Sequence, residues 1–176
     1  HTVIKPLPAL VQLRCKGTFF KQLSGVRCEA EVRLVSGGKT LAADEGELQL
    51  TDYGISGIPT FQVSRFAARA LDEGRSVEAV LDLFPSRNVE DTRAMLKQRK
   101  QMLGYRASGE FLNGVLNKKL AAVLLKLAGI PQDQPCSHIK DSQIEALTMQ
   151  MKKFTVPVTA TNSFEQAQVC CGGVDT

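Results

Sequence analysis

Gly46-Glu47-Leu48-Gln49-Leu50-Thr51-Asp52-Tyr53-Gly54-Ile55-Ser56-Gly57-Ile58-Pro59, running on into Phe61-Gln62-Val63-Ser64-Arg65, is the stretch whose reading decides the fold. It reads as a strand, a double-glycine turn and the start of a helix. Leu48 and Leu50 alternate with Glu47 and Gln49, the two-residue period of a half-buried strand. Gly54 and Gly57 supply the backbone angles that a strand reversing into a helix within four residues demands. From Pro59 to Leu71, Phe61, Phe66, Ala67, Ala70 and Leu71 share one helical face, and Gly74 is the stop. The N–H groups at such a helix start suit an anion or a cofactor edge. The plainer alternative is a tight turn in which Ser56 or Thr60 caps the helix.

Working outward, the first half keeps the strand period. Val26, Cys28, Ala30, Val32 and Leu34 alternate with four charged residues, and Ser36-Gly37-Gly38-Lys39 is a hairpin turn. A return strand through Leu41, another at Glu47–Leu50, and short strands at Leu10–Leu13 and Val77–Leu83 are expected. After Pro85 the period becomes helical. Asn88 caps a helix with Met95, Leu96, Met102 and Leu103 on one face, and Ser108 opens a shorter helix. Asn117 caps a third, with Leu120, Val123, Leu124 and Leu127 inward, and Ser142-x-x-Glu145 is a capping box for a fourth. The strand period returns at Thr155. The pattern predicts an α+β chain: a β module from residues 1–87 and 155–176, interrupted by a helical subdomain at 88–154. No internal repeat is visible.

The 176 residues suffice for a real core, with 43% hydrophobic and 23% charged residues and a net charge of +4. The basic clusters, Lys97-Gln98-Arg99-Lys100, Lys118-Lys119 and Lys152-Lys153, read as solvated helix faces, so nucleic acid is not the expected partner. Five cysteines without framework spacing point to a reduced, cytoplasmic protein whose thiols are core residues, Cys170-Cys171 marking a buried strand end. The longest apolar run, Leu120–Leu125, is far too short for a membrane span.

Familiar sites fail on spacing. Gly38-Lys39-Thr40 lacks the earlier glycine of a phosphate loop, because position 33 is Arg33. Gly54-Ile55-Ser56-Gly57 misses the hydrolase elbow by one position, Ile58 standing where its last glycine belongs. Cys136-x-His138 has no matching pair, so no metal is expected. No G-x-G-x-x-G follows a strand, so no dinucleotide is expected to bind this chain alone.

The opening stretch resembles the G-E-L-L-F-T-H-Y-G-I-S-G-P-x-x-L-x-x-S-R segment of the YhiN/BaiN-type FAD-dependent flavoproteins. His1-Thr2 with Pro6-Leu7-Pro8-Ala9-Leu10-Val11 is similar to that family's G-H-T and K-P-x-P-A-L-V, and Leu81-Asp82-Leu83-Phe84-Pro85 to its I-D-L-x-P. Phe164 to Val174 is similar to F-x-x-A-x-V-T-x-G-G-V. The chain departs from the pattern at Asp52 (His), Ile58 (Pro) and Cys170 (Thr). The resemblance implies a translation-factor-like six-stranded barrel plus helices, inserted into an FAD-binding domain that the chain lacks. It implies an FAD-dependent, nicotinamide-linked oxidoreductase as the parent, bile-acid-type enone reduction being one activity in the family. FAD belongs to that parent, the FAD-binding domain of the same polypeptide is the partner, and a small-molecule substrate fits. Asp52, Tyr53, Gly54, Ser56 and Gly57 are the residues expected to face substrate or flavin domain, and Gly172 and Gly173 the boundary cofactor residues. With Asp52 where the family has His, the resemblance does not carry a proton-donor role to this position, since a carboxylic acid is ordinarily ionised near neutral pH. The competing reading is a non-catalytic RNA- or protein-binding module.

Overall fold

Strand β1 (Val3–Ala9) opens the computed structural model, which describes residues 2–175, so that His1 of the G-H-T match lies outside the described residues. Short strand β2 (Leu13–Cys15) and helix α1 (Phe20–Leu23) follow, then the hairpin of β3 (Arg27–Ser36) and β4 (Lys39–Leu50). Next come β5 (Gly54–Gly57), α2 (Ile58–Asp72) and β6 (Val77–Asp82). The helices are α3 (Val89–Met102), α4 (Lys118–Leu127) and α5 (Asp141–Lys152), and β7 (Phe154–Thr161) and β8 (Val169–Val174) end the chain. Strands β2-β5-β4-β3-β6-β7 close into a six-stranded barrel, while β1 and β8 pair antiparallel as a separate ribbon. Two compact units result. One runs to Leu81 and resumes at Thr155, and the other is Asp82–Phe154, so residues 82–87 pack with the helices.

The barrel fills with small aliphatic side chains: Leu13, Val26, Ala30, Val32, Leu34, Leu48, Ile55, Val77, Ala79 and Val156 are buried. Gly37 and Gly38 turn the β3–β4 hairpin with φ of 56° and 75°, the primed turn whose twist matches its strands. Beyond it β4 is one strand, not two. Gly46 pairs with Ala30 inside it, and a Cβ there would touch Pro59 Cδ at 3.5 Å as α2 crosses. The expected strand at Leu10–Leu13 begins only at Leu13, because Leu10 takes a left-handed conformation (φ 49°). On α2 the buried face is Thr60, Val63, Ser64, Ala67, Ala68 and Ala70. Phe61, Phe66 and Leu71 are only half-buried, because small side chains let the helix lie close to the sheet.

The expected turn at Gly54–Gly57 is a strand. β5 sits between β2 (Leu13↔Ile55) and β4 (Leu48↔Gly57). A Cβ on Gly54 would overlap the Leu13 carbonyl oxygen and lie 2.8 Å from Cys15 N. One on Gly57 (φ 98°) would overlap the Glu47 carbonyl and lie 3.1 Å from Gln49 N. The actual reversal comes one step earlier, where Thr51 N donates to Gly54 O (2.9 Å) and Gly54 N to Thr51 Oγ1 (3.1 Å).

The helical unit buries Leu96, Phe111, Leu112, Leu120, Leu124, Ile144, Leu147 and Met151. Met102 (65% exposed) and Leu127 (43%), expected inside, lie in the last turns of α3 and α4 and face water. Ser108 opens only a one-turn segment, Ser108–Glu110. The α5 cap is Lys140, whose N–H donates to Gln143 Oε1 at 2.8 Å, so the Ser142/Glu145 box is not made. Glu145 instead takes a two-bond fork from Arg93 (2.6 and 2.9 Å), and the guanidinium holds its carboxyl below the usual range. Two of the expected solvated cations are structural. Arg99 donates to Phe111 O (2.9 Å) and Asn113 O (3.0 Å). Lys152 is buried, paired with Asp82 at 2.6 Å and donating to the Phe84 and Arg87 carbonyls.

A backbone repeat, invisible in the side chains, organises this unit. Ser108 N donates to Gln134 O and Gly109 N to Gln132 O; Cys136 N donates to Arg106 O and Ser137 N to Gly104 O. The donors Ser108 and Gly109 have counterparts 28 positions on in Cys136 and Ser137, the acceptors Gln134 and Gln132 have theirs 28 positions back in Arg106 and Gly104, and the bridge between them is Ala107↔Pro135, again 28 apart. The one-turn segments Ser108–Glu110 and Cys136–His138 repeat with the same offset.

Only Cys136 is a fully buried thiol; Cys15, Cys28 and Cys171 are half-buried and Cys170 is exposed on the ribbon, not at a buried strand end. Burial pushes Cys15 up to about 12, against a backbone hydrogen bond that lowers it, and pushes Cys28 up to about 11 with help from Glu29 and Glu47.

Three outcomes are expected. In urea unfolding, Gly57→Ala should cost about 2 kcal/mol or more, whereas Gly38→Ala, which meets nothing within 4 Å, should cost about 1 kcal/mol. Equal losses would remove the close-approach argument. Arg99→Ala should lose about 2 kcal/mol through two stranded carbonyls, and Lys97→Ala no more than about 0.5 kcal/mol; similar values for both would show that Arg99 is as dispensable as its neighbour. Because the folded thiols of Cys15 and Cys28 ionise later than unfolded ones, their contribution to stability is complete below the unfolded pKa near 9. It is lost as pH rises through 11–12. A Cys15→Ala/Cys28→Ala double variant should flatten that alkaline decline, and an unchanged slope counts against it.

Candidate functional site

The sequence-derived site residues fall on two separate pieces of the barrel unit. Asp52 and Tyr53 form the reversal before β5, Asp52 exposed and Tyr53 half-buried. Tyr53 O accepts from Cys15 N at 2.9 Å, which ties the turn to β2. The Arg14 guanidinium lies 5.1 Å from the Tyr53 ring centre, a cation–π stack at the rim. Gly54, Ser56 and Gly57 are on β5. Ser56 is only 6% exposed and does not cap α2: the N-cap is Gly57, with no side-chain bond, and Thr60 Oγ1 donates back to Ser56 O at 3.1 Å. Gly172 and Gly173 belong to β8. Where β1 bulges between Ile4 and Leu7, a Cβ on Gly172 would press on the Lys5 and Ile4 carbonyls, so the ribbon itself requires that glycine. Gly173 (φ 120°) has open space around it.

A groove of about 270 Å³ lies beside α2 in the same unit. Phe61, Gln62 and Arg65 come from α2, Leu10 from the link between β1 and β2, and Val169 and Cys170 from β8. Its geometry follows from β5: α2 starts directly at Gly57, so the end of the opening stretch, Phe61 to Arg65, is carried onto this wall. Leu10 is held in its left-handed conformation by two bonds. Gln168 N donates to Leu10 O at 3.3 Å, and Val11 N donates to Ser64 Oγ at 3.3 Å, Ser64 itself donating to Phe61 O at 2.8 Å. A non-glycine residue there costs energy that the rest of the fold must offset, and such positions gather at ligand-binding walls.

None of the seven sequence-derived site residues lines this groove. Arg65 and Leu10 were missed. Arg65 stands in the opening stretch but reads as an ordinary helix cation; nothing in a leucine announces a positive φ. Among the described residues, no group of three or more His, Cys, Asp or Glu is placed to hold a metal, and no helix is long and apolar enough to cross a membrane.

Residues 7–169 match the family described as "HI0933-like protein barrel and H2TH domain". The chain is 41% identical over 176 residues to the 3-dehydro-bile acid delta(4,6)-reductase of Clostridium scindens, covering all of this chain and 43% of that protein. It is 30% identical over 178 aligned positions to the ribosomal RNA dihydrouridine synthase of Haemophilus influenzae, covering 99% of this chain and 40% of that one. The chain thus spans less than half the length of either relative. With its closed barrel, its helical unit and a match over most of its length, the chain belongs to the HI0933-like barrel and H2TH domain family.

Proposed function

We propose that this chain is the barrel-and-helix part of an FAD-dependent, nicotinamide-linked reductase, and that it shapes and covers the substrate site while another domain of the same polypeptide holds the flavin. The names of both relatives describe adding hydrogen to a carbon–carbon double bond, in a steroid acid and in a pyrimidine. The observation that carries the reading is the β1–β8 ribbon. Two strands alone make a marginal sheet, and this one exposes Val3 (67%), Ile4 (48%) and Val174 (63%), with Val3 directly opposite Val174. That apolar surface fits packing against a further domain. In this reading the exposed Asp52 and the neighbouring Tyr53 face the substrate and flavin domain, Gly54, Ser56 and Gly57 hold that turn in place from β5, and Gly173, with Gly172 beside it, sits at the cofactor boundary. The flavin would carry the electrons; this chain's residues would position the substrate and exclude water.

A second reading, an RNA-docking module, draws on the helical unit. Residues 82–154 hold twelve Lys and Arg against seven Asp and Glu, although the barrel unit is slightly acidic. Salt-dependent affinity of this chain for ribosomal RNA fragments would favour it.

Titrating FAD into the 176-residue chain should give no stoichiometric, micromolar quenching of flavin fluorescence, while a polypeptide extended on both sides should purify yellow. In the latter, Asp52→Ala, at the exposed turn, should lower turnover with little change in melting temperature. Tight flavin binding by the chain alone, or a colourless extended protein, would overturn the proposal.

A further inference from the structure

The groove beside α2 is chemically lopsided. Arg65 carries the one formal charge in its lining, and among the described residues it takes no carboxylate partner, its guanidinium lying only over its neighbour Phe66 (4.7 Å to the ring centre). Gln62 adds an exposed amide, and Leu10, Phe61 and Val169 form apolar walls. A guanidinium presents a planar two-donor fork that matches a carboxylate or a phosphate. Phosphate sites commonly add backbone N–H groups from glycine-rich turns or helix starts; no glycine lines this groove, and its polar residues Gln62 and Arg65 lie beyond the first turn of α2, so the carboxylate is the better match. The volume of about 270 Å³ is just short of the roughly 300–1,000 Å³ of sites that enclose a whole drug-sized ligand, so one end of a ligand fits.

We infer that this groove binds the carboxylate end of an apolar ring acid. Arg65 takes the carboxylate through two parallel hydrogen bonds, Gln62 supplies a further donor, and Leu10, Phe61 and Val169 hold the first ring. The left-handed Leu10, fixed through Ser64, sets the wall against which the ring lies. The inference rests on the reductase reading only in making this ligand the substrate; the groove's chemistry is testable with no flavin present.

Cys170 lines the groove and is exposed, so it reports occupancy, whereas Cys28, with its raised pKa, serves as the internal reference. Iodoacetamide labelling of both thiols would be followed by peptide mass spectrometry with 2-naphthoate or its neutral counterpart 2-naphthamide present. Saturating 2-naphthoate should slow Cys170 labelling about fivefold or more and leave Cys28 unchanged, and 2-naphthamide should need about ten times the concentration, the loss expected for a charged fork. Arg65→Gln, an exposed substitution checked for an unchanged melting temperature, should bring 2-naphthoate down to the level of 2-naphthamide. Equal protection by the two compounds, unchanged protection in Arg65→Gln, or no protection at millimolar concentrations would overturn the inference. Preferential protection by FAD would also overturn it and assign the groove to the cofactor.

Discussion

No side chain fits where β5 passes the carbonyls of Leu13 and Glu47, and the architecture of the barrel unit hangs on that exclusion. With glycine at both ends, a four-residue strand bridges β2 and β4 and completes the ring of hydrogen bonds. Closure removes the exposed sheet edges that a five-stranded open version would present. Because α2 departs at Gly57 with no intervening loop, the same constraint aims the helix, draws Pro59 over Gly46 and places Arg65 beside the ribbon. One steric requirement therefore links the closure of the barrel to the position of the groove.

Elements governed by local periodicity were plain in the sequence. The β3 alternation, the Gly37-Gly38 hairpin, the Asn88 cap accepting from Asp91 N at 2.7 Å, and the Asn117 cap accepting from Lys119 N at 2.9 Å all depend on residues a few positions apart. What escaped was set by distant neighbours. A glycine pair looks the same whether it makes a turn or admits another backbone, so β5 read as a turn. Arg99 and Lys152 look like their solvated neighbours until the carbonyls of Phe111 and Phe84 come within reach. The groove shares this limit: it exists only because Leu10 and Val169, far apart in sequence, meet α2.

The two units divide the chemistry. The barrel unit supplies a nearly uncharged groove, an apolar ribbon and a cation–π rim at Arg14 and Tyr53. The helical unit carries the excess positive charge, and it spends several cations on its own scaffold, as the Arg93–Glu145 fork and the buried Lys152–Asp82 pair show. Removing one partner of such a pair strands a buried charge, so Lys152 and Asp82 are each needed by the other. Lys152 thereby ties the end of α5 to Asp82 and to the carbonyls of Phe84 and Arg87 in the loop before α3.

The reciprocal turns of the helical unit have a consequence for assembly. Arg106 and Cys136, and Ser108 and Gln134, form an isologous contact within one polypeptide, each half repeating the other after 28 positions. An interface of that kind is satisfied equally well when its halves come from two molecules, which is the geometry of a domain swap. The closed monomer is favoured because so short a spacing costs little entropy to close and keeps the halves at high effective concentration. At high protein concentration during refolding that advantage shrinks, and α4, which lies between the two halves, is the segment that would have to connect one molecule to the other.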